Sequence, residues 1–393
     1  MVERIYLDWN ATAPLQPQAR AAALEALEAC GNPSSVHAEG RAARRRVEDA
    51  REKVAALVAV DPRNVVFTSG GTEANMIALS PTWESGPEKV PCDCLLVSSI
   101  EHPSVLAGGR FARPEVEEAA VGPDGRLDLA GLERQLSVLA QKGLRRPLVS
   151  VMLANNETGV IQPVSQAARL AHEAGGLLHV DAVQGAGRIP CNINELGADL
   201  LTLSGHKIGA PKGVGALVKR EATLHLADPF IRGGGQERGA RAGTENVSGI
   251  AGFGAAAALA QQDLAAASAR IGALRDRLEA RLKAEMPQVT VFGAEAERLP
   301  NTTLFAVPGI KAETAVIALD LEGISVSSGA ACSSGKVAPS HVLAAMGVAP
   351  ALARGAIRLS LGVTTTEAEI DRFLDAWLRL SRTLLSGTRG IAA

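Results

Sequence analysis

Between about residues 40 and 220, short apolar runs alternate with stretches of helical periodicity, and this alternation constrains the fold more than any other feature. The runs cover 64–68, 95–98, 148–153, 177–180 and 200–203; each is apolar or rich in β-branched residues and ends in polar or glycine residues. Helical patterns lie between most of them, and Val47, Ala50, Val54, Leu57 and Val58 recur at helix spacing ahead of the later runs. Parallel strands need long crossovers, and both faces of a parallel sheet must be covered, so the pattern predicts a mainly parallel, doubly wound sheet under helices. The last third changes character. Strands are expected at 302–307, 324–327 and 356–361 and a helix at 312–321. A final helix opens near Thr366, where Thr366 and Glu369 form a capping box, and presents Ile370, Phe373, Leu374, Trp377 and Leu380 on one face. The Ala-rich stretch from about 250 to 285 reads as a connecting helix, because Ala is the best helix former. The expected class is α/β, with a large domain over 15–255 and a smaller α+β domain over 256–393. Residues 1–14 are expected to pack on the smaller one.

Composition bounds the partners. A chain of 393 residues, 47% hydrophobic, can bury two cores. Charged residues make up 21% and nearly cancel, at net −2, which argues against a nucleic-acid clamp or a membrane-surface protein. No apolar run approaches the roughly 20 residues that span a bilayer. The opening Met1-Val-Glu-Arg-Ile-Tyr-Leu-Asp-Trp lacks the apolar stretch of a secretory signal and carries acids early, so the cytoplasm is the expected location. The five cysteines, at 30, 92, 94, 191 and 332, are too sparse for a disulfide framework. Cys92 and Cys94 have no second pair at zinc-site spacing, and no metal is expected.

In open α/β sheets, ligands gather beyond the carboxyl ends of the strands. After the run at 64–68 comes Thr68-Ser-Gly-Gly-Thr-Glu-Ala-Asn, leading into a helix. Small residues there let backbone N–H groups face an anion such as phosphate; a plain strand-to-helix turn explains them equally well. After 177–180 come Asp181 and Gln184. That carboxylate could hold a protonated pyridine nitrogen, or simply cap the next segment. After 200–203 comes Ser204-Gly-His-Lys-Ile-Gly-Ala-Pro-Lys-Gly, where Lys207 could form a Schiff base if burial lowers its pKa, or could be a surface lysine. Glu101-His102 follows 95–98, and its imidazole could stack on a ring or serve structure alone. An anion cradle, a pyridinium partner and an amine at successive strand ends are together what pyridoxal 5′-phosphate needs.

Here the chain resembles the cysteine desulfurases of the bacterial iron–sulfur and nitrogen-fixation type, within the class-V aminotransferase family of fold-type I pyridoxal-phosphate enzymes. The resemblance runs nearly end to end. It covers Tyr6-Leu-Asp-Trp-Asn-Ala-Thr-Ala-Pro, Gly31-Asn-Pro-Ser-Ser-Val-His, Thr68-Ser-Gly-Gly-Thr-Glu-Ala-Asn, Glu101-His-Pro-Ser-Val, Asn155-Asn-Glu-Thr-Gly and His179-Val-Asp-Ala-Val-Gln. It continues through Ser204-Gly-His-Lys, Gly233-Gly-Gly-Gln-Glu-Arg-Gly with Arg241-Ala-Gly-Thr-Glu-Asn, Ser327-Ser-Gly-Ala-Ala-Cys-Ser-Ser-Gly and Ile357-Arg-Leu-Ser-Leu-Gly. It implies a fold-type I transferase fold and a homodimer that takes sulfur from L-cysteine, releases L-alanine and holds the sulfur as a persulfide on Cys332.

The resemblance also implies roles. Lys207 would carry the cofactor covalently and move the Cα proton, and His102 would stack on its ring and assist proton transfer. Asp181 would pair with the pyridine nitrogen and Gln184 with the phenolic oxygen. Gly71, Thr72, Ser204 and His206 would hold the phosphate, with Thr244 reaching the phosphate of the neighbouring subunit. Asn156 would contact cofactor and substrate, and it and Arg358 would bind the substrate carboxylate, with Asn32 nearby. Cys332 sits among small residues without helical periodicity, which suits a nucleophile that must travel. The last residues, Ser386-Gly-Thr-Arg-Gly-Ile-Ala-Ala, do not resemble the tail by which related enzymes dock an iron–sulfur scaffold protein, so the sulfur acceptor stays open. A selenocysteine lyase, another enzyme of this fold and a catalytically silent binding subunit stand as alternatives.

Overall fold

The computed structural model describes residues 4–84, 91–329, 332–333, 336–337 and 339–389, with the side chains of 332, 333, 336, 337 and 386–389 excepted. Its largest sheet has seven strands in the order Val65–Thr68, Gly215–Lys219, Leu200–Ser204, Leu177–Asp181, Pro147–Met152, Cys94–Ser98 and Val116–Ala119. The four pairings from Leu200–Ser204 outward to Val116–Ala119 are parallel. Gly215–Lys219 runs antiparallel to both its neighbours, so Val65–Thr68 points the same way as the parallel set. All five runs expected in this region are strands of this sheet. Val116–Ala119 and Gly215–Lys219 were not expected: Val116-Glu-Glu-Ala has a weak apolar pattern, and Gly213 and Gly215 interrupt the other run.

A second, antiparallel sheet has the order Thr290–Val291, Thr302–Ala306, Ile357–Ser360, Ser327–Ser328. The helix Ala312–Leu321 falls where its pattern predicts. The final helix, Glu367–Arg389, is capped as expected: Thr366 N–H donates to Glu369 Oε2 (2.8 Å) and Glu369 N–H to Thr366 Oγ1 (3.3 Å). Its Trp377 meets Phe305 edge-on, with centroids 5.2 Å apart.

One 39-residue helix, Val247–Glu285, joins the two regions and at 1.5 Å per residue is about 58 Å long. Its first turns place Ile250, Phe253, Ala256 and Ala257 in the core beside the large sheet. Its later turns place Ile271, Leu274, Leu278 and Leu282 in a separate core with Phe305, Ile357, Ile370, Phe373 and Trp377. Gly254 allows close approach to the helix Ala38–Leu57, since a Cβ there would lie 2.7 Å from that of Ala50. The opening segment crosses between the two regions. Ile5–Tyr6 pairs in parallel with Ile324–Ser325, Ile5 and Leu7 enter the second core, and Ala13 N–H then donates to His206 O (2.9 Å) on the large sheet's side.

Candidate active site

Lys207, Asp181, Gln184, Ser204, His206, Gly71, Thr72, His102 and Asn156 follow the carboxyl ends of strands of the large sheet. Lys207 closes the short turn Gly205–Lys207 that follows Leu200–Ser204. Its amine donates to the carbonyls of Asn10 (2.5 Å) and Ala11 (3.0 Å) in the opening segment. Burial, joined by the positive charges of Arg188 and Arg358, pulls its pKa down to about 8, against the opposing pull of Asp181 and Asp8. Arg188 is itself buried deeply enough, and close enough to Arg358, that its pKa falls to about 10. Its guanidinium donates to the backbone oxygen (2.6 Å) and Oε1 (2.9 Å) of Gln184, whose Nε2 donates to Asn10 O (3.1 Å).

Asp181 ends the strand Leu177–Asp181 and is buried. Its Oδ2 accepts from Asn75 Nδ2 (2.8 Å) and its Oδ1 from Val183 N–H (3.0 Å). Gly71 opens the helix Gly71–Ala78 against buried Ser204; a Cβ on Gly71 would come within 3.3 Å of Ser204 Cβ and 3.1 Å of Val183 Cγ2. Glycine thus keeps backbone and serine hydroxyl together at a helix N-terminus, with Thr72 exposed beside them. His206 Nδ1 lies 3.1 Å from Thr12 Oγ1. Burial first, then Lys207 and Lys212, push its pKa to about 4, so it is neutral at pH 7. His102 caps the short helix Pro103–Leu106; burial lowers its pKa, Lys207 and His341 lower it further, and Asp181 opposes them.

Arg358 comes from the second sheet, on Ile357–Ser360. It donates to Asp8 Oδ1 (2.7 Å) and to the backbone oxygen of Asn156 (2.9 Å), while its buried Nε–H has no partner among the described residues. A planar fork with a free buried donor suits a carboxylate. Asn156 O also accepts from Asn10 Nδ2 (3.2 Å).

Three expected residues stand apart from this cluster. Asn32 is exposed, its Oδ1 taken by Ser34 N–H (2.9 Å) in a local turn. Thr244 is exposed on a segment tied back by two ion pairs. In the first, buried Arg51 grips Glu237 at 2.7 and 2.9 Å. In the second, Arg241 holds Glu73 on the Gly71–Ala78 helix at 2.9 Å. Cys332 lies with Ser333 in a two-residue strand paired antiparallel with Lys336–Val337; its side chain is outside the described part of the structure. Of the other cysteines, Cys30 is exposed and Cys92, Cys94 and Cys191 are buried. Burial drives the thiol pKa values of Cys92 and Cys191 to about 12 and that of Cys94 to about 11, which suppresses the thiolate.

The aminotransferase class-V family model matches residues 5–373. A cysteine desulfurase of Cereibacter sphaeroides is 46% identical over 380 residues, covering 95% of each chain. The chain belongs to the class-V aminotransferase family, among its cysteine desulfurases. The cysteine desulfurase NifS of Azotobacter vinelandii is 40% identical over 375 residues, covering 94% of this chain and 90% of that one. The X-ray structure of a NifS-like protein from Rickettsia africae superposes with a TM-score of 0.85 at 36% identity, covering 97% of this chain and all of the other. Pyridoxal phosphate is the cofactor this family implies, and the donor set fits it. An amine with a lowered pKa, a buried carboxylate and a glycine-serine cradle at a helix N-terminus stand at the carboxyl ends of Leu200–Ser204, Leu177–Asp181 and Val65–Thr68 in one sheet.

Sequence reasoning missed Asp8, Asn10, Asn75, Ser104, Glu157 and Arg188. Each lies within or just beyond a motif quoted for the resemblance, but no spacing rule brings them to the cleft. Asn10 is the clearest case. Buried at 1% exposure, it meets Asn156, Lys207 and Gln184 on one side and Asn301 and Thr302 on the other.

Proposed function

We propose that this chain is a cysteine desulfurase that holds pyridoxal 5′-phosphate on Lys207 and moves the sulfur of L-cysteine to Cys332. One Cβ–S bond breaks and one S–S bond forms: cysteine and a thiol become alanine and a persulfide, with no outside oxidant or reductant. The observation that carries the reading is Lys207, a half-buried amine with a pKa near 8 within electrostatic reach of Asp181 and Arg358. The cofactor, when bound, supplies the electron sink for bonds at Cα.

The chain's own residues supply the rest. Lys207, part neutral near pH 7.5, takes and returns the Cα proton. Asp181, held by Asn75 and Val183, keeps a pyridine nitrogen protonated, and Gln184 faces the phenolic oxygen. Gly71, Thr72, Ser204 and His206 hold the phosphate, and Thr244 serves the partner protomer of a homodimer. Arg358 grips the substrate carboxylate with its free Nε–H, with Asn156 and Asn32 beside it. Cys332 attacks the substrate sulfur and passes it to an acceptor protein such as an iron–sulfur scaffold, in the cytoplasm. No helix among the described residues is long and apolar enough to cross a membrane.

The test is a single addition of cysteine to purified protein, read by absorbance, alanine yield and mass spectrometry of labelled persulfide. The expected result is one sulfur on Cys332 and one alanine released. Label on another cysteine, or alanine without persulfide, overturns the reading. Selenocysteine in a parallel reaction separates a selenium-specific enzyme.

A further inference from the structure

A chain of hydrogen bonds outside the roles above runs from Asp181 to the His102 ring. Asn75, 1% exposed, spends both of its amide hydrogens: Nδ2 donates to Asp181 Oδ2 (2.8 Å) and to Ser104 Oγ (2.9 Å). Ser104 Oγ, accepting from Asn75, keeps one hydrogen to give, and His102 Nδ1 lies 2.7 Å away. The backbone N–H of Ser104 points at the same Nδ1 from 3.1 Å. A backbone N–H can only donate, so Nδ1 must accept. Two donors on Nδ1 leave no room for a proton there. The neutral ring therefore carries its hydrogen on Nε2.

We propose that Asn75 and Ser104 are positioning residues that lock His102 as its Nε2–H tautomer and tie its orientation to the carboxylate of Asp181. The assignment rests on the proposed function for its consequence, though not for its geometry. A ring held this way offers a hydrogen at Nε2 and no free lone pair at either nitrogen. His102 thus meets the substrate as a donor, and the neutral amine of Lys207 is left as the base. Protonating Nδ1 would set a ring N–H against the fixed N–H of Ser104. This works in the same direction as the burial and the neighbours Lys207 and His341 that lower the ring's pKa, with Asp181 opposing. The hydroxyl adds a second donor, because an Nδ1 already accepting from the backbone N–H leaves the serine only its hydrogen to offer at 2.7 Å.

The test is nitrogen-15 spectroscopy of histidine-labelled full-length protein near pH 7.5, first without added cysteine. The His102 ring should show the protonated Nε2 and bare Nδ1 pattern. Ser104→Ala keeps the backbone N–H, so the tautomer should persist while the Nδ1 resonance shifts with loss of the hydroxyl donor; Asn75→Ala should shift it less, and Ser104→Thr should restore it. With cofactor and cysteine, Ser104→Ala should slow the substrate-induced absorbance change about tenfold, the cost of one lost hydrogen bond to a reacting group, and Ser104→Thr should recover it. A wild-type ring protonated on Nδ1 overturns the proposal outright. So does a Ser104→Ala protein whose Nδ1 resonance and rate match those of Ser104→Thr. Failure to form a persulfide on Cys332 would sink the desulfurase reading alone, since the tautomer is measured without turnover.

Discussion

The depressed pKa of Lys207 makes a prediction that can be worked through. An ordinary lysine titrates at 10.5 and this one at about 8. At pH 7.5 about one quarter of the Lys207 amines are then neutral, against about one in a thousand for an ordinary lysine, a ratio of roughly 240. Cofactor added to the unloaded protein should therefore attach with a pH profile centred near 8. Arg188→Met removes the nearer-ranked of two cations that depress the amine, and the midpoint should move upward; each full unit costs about a tenfold loss of neutral amine at pH 7.5. Stability must follow with the opposite bias to a paired lysine. The folded pKa lies below the unfolded one, so between pH 8 and 10.5 the unfolded chain holds more protons and stability rises with pH. The penalty is full below pH 8, gone above 10.5, and amounts to about 3 kcal/mol. The assays are stopped-flow absorbance on cofactor addition, borohydride trapping with peptide mapping, and denaturant melts from pH 7 to 10.5 on wild type and Lys207→Met. An attachment midpoint near 10.5, a pH slope unchanged in Lys207→Met, or trapping on another lysine would refute the reasoning.

Four further outcomes are expected. Cys332→Ser replaces a soft nucleophile with a hydroxyl barely ionised near pH 7, so persulfide should vanish by mass spectrometry while the cysteine-induced absorbance change remains. Arg358→Ala strands the Asp8 carboxylate and removes the carboxylate fork; kcat/KM for cysteine should fall by about 100- to 1000-fold, and Arg358→Lys should recover only part of it. Glu157, buried beside Ser340 and Arg358, has its pKa raised from 4.5 to about 7, chiefly by burial. Its stabilising effect is therefore full below pH 4.5 and lost as pH climbs through 7, and Glu157→Gln should flatten a slope worth about 3 kcal/mol in chemical melts. Sedimentation should find the active protein as a dimer, and Thr244→Ala should weaken cofactor retention without altering that dimer.

What was legible in the sequence was whatever repeats or sits at a rule-bound place. Short apolar, β-branched-rich runs marked the five strands and Ala content the long helix, and the strand-end rule pointed to Lys207, Asp181 and His102. The resemblance then added roles that no period carries, such as those of Arg358 and Cys332. What stayed hidden depends on contacts between distant segments. Nothing about Asn10 alone announces that its carbonyl meets Lys207 197 residues later. Arg188 looks like any charged residue after a glycine turn until burial against Gln184 and Lys207 turns its charge into a control on the amine. Glu237 and Arg238 adopt left-handed backbone angles, φ 47° and 54°, which sequence does not suggest for such residues. The buried Arg51–Glu237 pair holds that conformation.

These hidden contacts matter because they set the charge of the cleft. Lys207, Arg188 and Arg358 bring three cationic groups into one region, while Asp181 and Asp8 bring two carboxylates. His206, with a pKa near 4, adds no charge at neutral pH. Glu157, beside Arg358 with a pKa near 7, adds a third, partly charged carboxylate, yet burial still lowers the pKa values of both Lys207 and Arg188. Leaving a cation uncompensated is expensive unless the site is built to receive anions. A phosphorylated cofactor and an amino-acid carboxylate are both anionic, so binding them would relieve the same strain that lowers the pKa of Lys207. Attachment of the cofactor at Lys207 would take up the amine whose charged form burial disfavours. The arginines would accordingly do two jobs: they help burial lower the pKa of the amine beforehand, and they would supply attraction for the anions.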